Sequence, residues 1–567
     1  MPMRPDPDTL AWASAAVRHL ARTTNLLIAA RRFRIIGGDP RDAAALDALL
    51  TALGARAAAA DERIDHLWCL GTPEQSATAV QSAIAVPAAD QPRGHTLVVI
   101  DAGRHQPAVD EDAFGPVTPV RPGVLGVPMT SDDVSLVSTG REPEDDPAAE
   151  ARLRWARRAM PVSRAVAAEL RDQGLLRGTR IGVAMVLEPK TAVLSLLLRE
   201  AGAEVVVYAH ADETDDAVAA VLRRTGLPVF ADSSATLDEQ KALALAMLDT
   251  RPHVLLDDGA HVIRLAHQER PDLLPTMVGA AEETTSGLTA LRVLADRGQL
   301  GIPVVAVNDA RTKTFFDNRY GTGQSTVFAV LDLVDALPSG THTVRPGGSA
   351  VVVGYGHVGE GVALVLRALG FHVTVAETDP VRALQARFAG HAVAPLIEAV
   401  RDADLVMSAT GVADTITVEV LRACAADAVV AVAGGVDQEI AIDAALATGA
   451  ERVVVGRKAE RFTFPGAEHG VLVLDDGGCI NITAAEGNPI EIMDLSFAVQ
   501  LGAVRMLLER GDELDRAVVP VDPAVDDATA RAALAAFGSR AEPPVPVAAQ
   551  PADRQPDVRT TRFGAPA

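Results

Sequence analysis

Cysteine, aromatic residues and basic charge are all scarce in this chain. Its 567 residues include three cysteines, Cys69, Cys424 and Cys479. They lie far apart and lack the paired spacing of a metal site, which argues against a disulfide framework and against bound zinc or any other metal. Aromatics make up 3 % of a chain that is 48 % hydrophobic, so alanine and valine must fill the interior. The formal charge is −23. A nucleic-acid or anionic-membrane partner needs a basic face, so neither is expected. No apolar run approaches the ~20 residues that span a bilayer. The opening stretch MPMRPDPDTLAWASAAV has no continuous apolar segment, so no signal peptide is expected and a soluble cytoplasmic protein is.

What is present is alternation of strand-like and helix-like segments, the pattern of an α/β fold. Residues 1–103 read as a small α/β module: FRIIGG, a helix, DHLWCLG, a further helix and HTLVVIDAG. It has GGDP where a dinucleotide loop would need more glycines, so packing or assembly is its expected role. Residues 104–148, rich in Pro, Asp and Glu, read as a linker. Residues 149–344 form a second α/β unit, in which HVLLDDG ends in two carboxylates, Asp257 and Asp258. Residues 345–478 form a third, 479–537 return to the second, and 538–567 read as a disordered tail.

Two stretches carry chemistry. Gly354-Tyr355-Gly356-His357-Val358-Gly359 follows a strand and opens a helix, and Glu377 ends the next strand about 20 residues on. Gly354 permits the tight turn, Gly356 lets a pyrophosphate approach the backbone, and Gly359 lets helix and strand pack. The helix N-terminus supplies N–H groups for the phosphates. Glu377 accepts from ribose hydroxyls and repels a 2′-phosphate, so the expected cofactor is NAD. The second stretch, Glu282 to Asn318, concentrates carboxylates, hydroxyls, amides and one lysine, the groups that hold ribose hydroxyls. Removing an alcohol proton at neutral pH needs a base or a lysine of depressed pKa. Lys313 and Asp317 would share a helix face.

With these residues the chain resembles adenosylhomocysteinase, the NAD-dependent S-adenosylhomocysteine hydrolase, over about residues 149–537. The shared motifs are DDG at Asp257, EETTSG at Glu282, NDARTKTFFDN at Asn308, GYGHVGEG at Gly354, ETDPVRALQA at Glu377 and SATG at Ser408. The resemblance implies a two-lobed α/β enzyme, with a Rossmann-type NAD domain inserted in a nucleoside-binding domain, and a homo-oligomer. It implies transient oxidation of the ribose 3′-hydroxyl, loss of the C4′ proton, departure of the 5′ group, addition of water and re-reduction. Asp258, Glu283, Lys313, Asp317 and Asn318 are the implied catalytic residues. Thr284, Thr285, Ser286, Asn318, Gly354, Gly356, His357, Val358, Gly359, Glu377, Arg382, Thr410, Gly411 and Asn481 are implied around the cofactor. Glu188, Lys190, Asp258, Glu283, Lys313, Asp317, Asn488 and Met493 are implied around a nucleoside substrate.

Departures from the family cluster at the 5′ and base ends. Val186, Glu188 and Lys190 replace histidine, threonine and glutamate or glutamine. Gly435 and Asn488 replace two further histidines, and Thr322 replaces a cysteine. The family's C-terminal lysine and tyrosine, which reach a neighbour's NAD, have no counterpart: the last Lys is Lys458 and the last Tyr is Tyr355. Valine transfers no protons. The retained ribose cluster with a rebuilt leaving-group pocket favours a specialised nucleoside lyase or dehydratase. An authentic adenosylhomocysteinase and a non-enzymatic NAD-binding protein are the alternatives.

Overall fold

The computed structural model describes residues 6–85, 96–127, 133–140, 149–433 and 438–542. Gly435 and residues 543–567 of the expected tail lie outside them.

The N-terminal sheet contains β1 (Arg32–Ile36), β2 (Arg56–Ala57), β3 (His66–Cys69), β4 (Thr96–Asp101), β5 (Thr118–Arg121), β6 (Val124–Val127) and β7 (Asp133–Ser138). Their order is β2-β1-β3-β4-β7-β6-β5. The expected linker is therefore corrected: β5, β6 and β7 lie inside residues 104–148 and complete this sheet. Pro122-Gly123 is a hairpin turn, with Gly123 at φ 68°. The remaining proline of this strand pair, Pro119, is tolerated because β5 is an edge strand. Residues 141–148 lie outside the described residues.

The second sheet holds β8 (Arg180–Ala184), β9 (Glu204–Tyr208), β10 (Val229–Phe230), β11 (Val254–Asp257), β12 (Gly279–Glu282) and β13 (Val304–Ala306), all parallel, in the order β10-β9-β8-β11-β12-β13. The third holds β14 (Ser349–Val353), β15 (His372–Ala376), β16 (Ala392–Val393), β17 (Leu405–Ser408), β18 (Val429–Val432), β19 (Glu451–Gly456), β20 (Ala459–Thr463) and β21 (Gly470–Leu474). Its order is β16-β15-β14-β17-β18-β21-β20-β19. Its six parallel strands have the doubly wound dinucleotide-fold topology, which reverses between β14 and β17. After it the chain returns to the second sheet, where β22 (Val518–Pro520) pairs with β13. The NAD-type domain is thus inserted within the other.

One hydrophobic core runs through Val17, Leu20, Phe33 and Trp68 of the N-terminal module into Trp155, Leu194 and Phe497 of the second unit. The helix Pro7–Thr24 adds ion pairs from Arg18 to Asp332 and Asp335. The module is therefore built into the second unit's core rather than set apart from it. Among the described residues no helix is long and apolar enough to cross a membrane.

Candidate active site

Parallel strands deliver their following residues to one sheet edge, and ligands of open α/β sheets lie there, at the point where strand order reverses. In the second sheet that point falls between β8 and β11. Asp257 ends β11 and Asp258 follows it, while Glu283 follows β12. Asn308 follows β13 on a single 3₁₀ turn. A short helical turn, Arg311–Lys313, runs into the π-helical segment Thr314–Gly321 and then the helix Thr322–Asp335. Widened turns of this kind are frequent at functional sites. Here the turn brings Lys313, Asp317 and Asn318 to one side.

Lys313 is 2 % exposed. Its Nζ lies 2.9 Å from Asp317 Oδ2, donates to Asn318 Oδ1 at 2.9 Å and to Asn308 Oδ1 at 3.3 Å, and sits 4.0 Å from Glu283 Oε1. Burial works against this cation, yet Asp317 and Glu283 outweigh it and hold its pKa above the ordinary value. Of the two routes open in the sequence, a base or a lysine of depressed pKa, the ligand-free protein favours the base, because the Lys313 ammonium is stabilised. The titrating groups are the carboxyls beside it. Burial pushes Glu283 up to about 7 against the pull of Lys313, and Asp258 up to about 6 against the same pull. Glu283 is fixed from behind by the helix Ile490–Arg510, where Ser496 donates to Oε1 and Gln500 donates to Oε2 at 2.7 Å.

Other residues of the stretch hold the scaffold. Glu282 accepts from the backbone N–H of Gly259, Ala260 and Thr284, each at 2.9 Å, and from the Thr284 hydroxyl at 2.6 Å. Thr284 also caps the helix Thr285–Asp296. Thr285 donates to Asn308 Oδ1 at 3.2 Å, and Ser286 to the Thr284 hydroxyl at 3.3 Å. Asp257 accepts from Ile263 N–H at 2.7 Å, and burial raises it to about 7.

Asn488 reaches into this cluster. Its Nδ2 donates to Asp317 Oδ1 at 2.7 Å and to Thr322 Oγ1 at 3.1 Å. Its Oδ1 accepts from Ser325 at 2.7 Å and from Asn481 Nδ2 at 3.0 Å. Thus Thr322, Asn481 and Asn488 form one polar chain ending on Asp317. Met493 is partly buried on the helix Ile490–Arg510.

Glu188 and Lys190, expected around the substrate, are engaged by the protein itself in the ligand-free state. Glu188 caps the helix Pro189–Glu200 through the N–H groups of Lys190 and Thr191. Lys190, 1 % exposed, directs its ammonium to Glu188 Oε2 at 2.7 Å, Asn25 Oδ1 at 3.0 Å and the Glu486 carbonyl at 2.7 Å. An ammonium has three donors, and all three are engaged. Val186 is half-buried just past β8. Across the carboxyl end of β8, the strand between theirs, His210 and His261 meet edge-to-face at 4.9 Å between ring centroids. His210 contacts the Tyr208 hydroxyl at 3.2 Å. Burial, then the neighbouring His210 and Arg264, push His261 down to about 4, so it is neutral at physiological pH.

In the inserted domain Gly354 has φ +87°, and a side chain at Gly359 would collide with the Gly354 carbonyl. The turn therefore admits only glycine at both positions. His357 and Val358 open the helix His357–Ala368, whose N-terminus has no side-chain cap and so offers N–H groups to an anion. Burial of Glu377 is outweighed by backbone N–H donors from Asp379, Tyr355 and Thr378, which hold the carboxyl below its ordinary range. The Arg382 guanidinium lies beside Gly356. Across the crevice, Thr410 and Gly411 are held by buried Glu439, which accepts from both backbone N–H groups at 3.0 Å. A strained glycine turn, an open helix end and an ionised carboxylate after the second strand suit a dinucleotide. Among the described residues no group of side chains suits a metal ion.

Sequence reasoning missed Ser496, Gln500, Glu439, His210 and Asn25. None of the five belongs to a quoted motif; Glu283 lies 213 and 217 residues from Ser496 and Gln500, and Lys190 lies 165 residues from Asn25.

The family model described as S-adenosyl-L-homocysteine hydrolase matches residues 144–274, and the model for that family's NAD binding domain matches residues 326–487. Residues before 144 match neither. Adenosylhomocysteinases of Thermoplasma acidophilum and Thermotoga maritima are both 36 % identical, over 68 % and 69 % of this chain and 93 % and 95 % of theirs. An S-inosyl-L-homocysteine hydrolase of Methanopyrus kandleri is 37 % identical over 71 % of this chain and 93 % of its own. The chain belongs to the S-adenosyl-L-homocysteine hydrolase family and carries its NAD-binding domain.

Proposed function

We propose that the protein is an NAD-dependent nucleoside enzyme that oxidises the ribose 3′ carbon transiently and expels a 5′ substituent. The observation that supports it most is the ring of Asp317, Asn318, Asn308 and Glu283 around the Lys313 ammonium. When bound, NAD supplies the hydride acceptor for the 3′ carbon and returns the hydride at the end; the glycine turn, Glu377 and the Thr410-Gly411 loop hold it. Lys313 donates to the 3′ oxygen, stabilising charge as that oxygen becomes a carbonyl. Glu283 and Asp258, held near neutrality by burial, accept and return protons, one of them from C4′. Loss of the C4′ proton forms the C4′–C5′ double bond, and the leaving group departs with the electron pair of its bond to C5′.

The 5′ side supports a departure from the parent reaction. Val186 offers no proton, and Glu188 and Lys190 are paired with each other. The His210–His261 pair is the imidazole chemistry at that strand end. We assign it to the leaving group and read the enzyme as a nucleoside lyase or dehydratase that stops before hydration. The names of the relatives favour a second reading, hydrolysis of an S-nucleosyl-homocysteine. The test incubates the holoenzyme with adenosine, inosine and S-adenosylhomocysteine, followed by mass spectrometry and a thiol reagent. A nucleoside lighter by water or by its 5′ group supports the lyase; hydrated nucleoside plus free thiol supports the hydrolase. Absence of both products across the panel overturns the proposal.

A further inference from the structure

The N-terminal module lies outside both family matches, and one of the chain's departures from the family, Lys190, bonds to it. Asn25, 7 % exposed, sits at φ 51°, in the left-handed region that asparagine tolerates. Its Oδ1 accepts from Lys190 Nζ at 3.0 Å, and its carbonyl accepts from Ile490 N–H at 2.9 Å. Lys190 also donates to the Glu486 carbonyl. The Glu486 carboxylate lies 2.9 Å from Nη2 of Arg121, which is on edge strand β5. Burial opposes ionisation of Glu486, but Arg121 and Lys190 outweigh it and hold the carboxyl below its ordinary range. Leu27 N–H donates to Glu491 at 3.0 Å, and Ile28 N–H to Gln324 at 2.9 Å. Residues 486–491 are thus held on several sides by the module, and within them Asn488 donates to Asp317.

We propose that Asn25 is a positioning residue: through Lys190 and the 486–491 loop, the N-terminal module sets Asn488 against Asp317 and so orients the Lys313–Asp317 pair. The module and the altered residues Lys190 and Asn488 are then one structural change. Glu188 belongs to it as the carboxylate that fixes Lys190. An isolated Lys190 would be an uncompensated buried charge; with Asn25, Glu188 and the Glu486 carbonyl it becomes a fixed strut. Buried hydrogen-bond chains of this kind transmit position because each member has one satisfied arrangement.

The inference rests on Lys313 and Asp317 serving ribose oxidation, so Lys313→Ala is the control. The readout is reduction of bound nicotinamide when adenosine or inosine is added to the full-length holoenzyme. Asn25→Gly keeps the left-handed backbone and removes only the side chain; Asn25→Asp keeps the acceptor for Lys190. Asn25→Gly lowers the reduction rate about tenfold with little change in nucleoside affinity, the loss expected for an interaction that orients rather than binds. Asn25→Asp restores most of that rate. Glu486→Gln, which weakens the Arg121 contact and leaves the backbone intact, shifts the rate in the same direction and decides the matter if Asn25→Gly fails to fold. Rates within twofold of wild type in the folded variants overturn the inference, as does a loss confined to nucleoside affinity. If Lys313→Ala reduces nicotinamide within about tenfold of wild type, the functional proposal fails instead, whatever the Asn25 variants do.

Discussion

Asn488 donates from Nδ2 to Asp317 Oδ1 at 2.7 Å, while Lys313 holds the opposite oxygen, Oδ2, at 2.9 Å. The carboxylate is clamped between an amide and an ammonium from two different parts of the chain. Asn488→Ala removes one jaw and leaves Asp317 free to rotate. The expected result is a fall of about tenfold in nicotinamide reduction by added nucleoside, read in single-turnover kinetics.

Lys313 pairs with Asp317 and Glu283 and acts electrostatically on Asp258, so its loss should have two consequences. Lys313→Met is expected to lower nicotinamide reduction by about 10²–10⁴, the usual range for a positioned proton-handling group. It also removes the cation that pulls Glu283 and Asp258 downward, so both carboxyls should titrate higher still. Infrared titration of the carboxyl band checks the second effect.

Glu283 carries a stability signature. Its carboxyl is raised from 4.5 to about 7, mainly by burial. A carboxyl raised on folding favours the folded state below its unfolded pKa and ceases to do so as pH rises through the folded one. For Glu283 that window runs from about 4.5 to about 7, and the contribution lost across it is about 3 kcal/mol. Ligand-free protein should therefore show a Tm that declines across this window, and Glu283→Gln should flatten that decline. Thermal unfolding at a series of pH values checks it.

His261→Asn separates the two ends of the substrate. It leaves the Lys313 cluster untouched, so nicotinamide reduction by adenosine should stay within about twofold. Release of the 5′ group should fall by about 10² or more. Rapid-quench mass spectrometry measures both.

Glu377→Gln keeps the size of the side chain and removes its charge. Affinity for NAD should weaken, and the preference for NAD over NADP should narrow about tenfold, because a carboxylate no longer opposes a 2′-phosphate. Calorimetric titration of cofactor-free protein with each dinucleotide shows the ratio.

The parts of this molecule that could be read in the sequence are those whose partners lie close by in the chain. GYGHVG carries its own turn, helix end and strand, and Lys313–Asp317 lie four residues apart on one helical segment. The DDG carboxylates needed only the strand pattern, and the EETTSG carboxylates were read from their polar composition and motif; the structure places both at the ends of adjacent parallel strands. The contact between Lys190 and Asn25 was not legible because the two lie 165 residues apart. No periodicity or motif encodes that contact. The choice between a base and a depressed lysine stayed open in the sequence for a related reason: the lysine pKa depends on Asp317, which is local, and on Asp258 and Glu283 at two strand ends, which are not. The strands in 104–148 were hidden by proline, which reads as linker chemistry until Pro122-Gly123 is seen to be a hairpin turn.

Transient oxidation at C3′ acidifies C4′, and this is directly observable. The wild-type holoenzyme incubated with adenosine or inosine in deuterated water should return nucleoside carrying deuterium at C4′, and Lys313→Ala should return it unlabelled. Nucleoside recovered from the wild type with no deuterium at C4′, while nicotinamide-loaded enzyme is demonstrably bound to it, would contradict ribose oxidation as the reaction of this site.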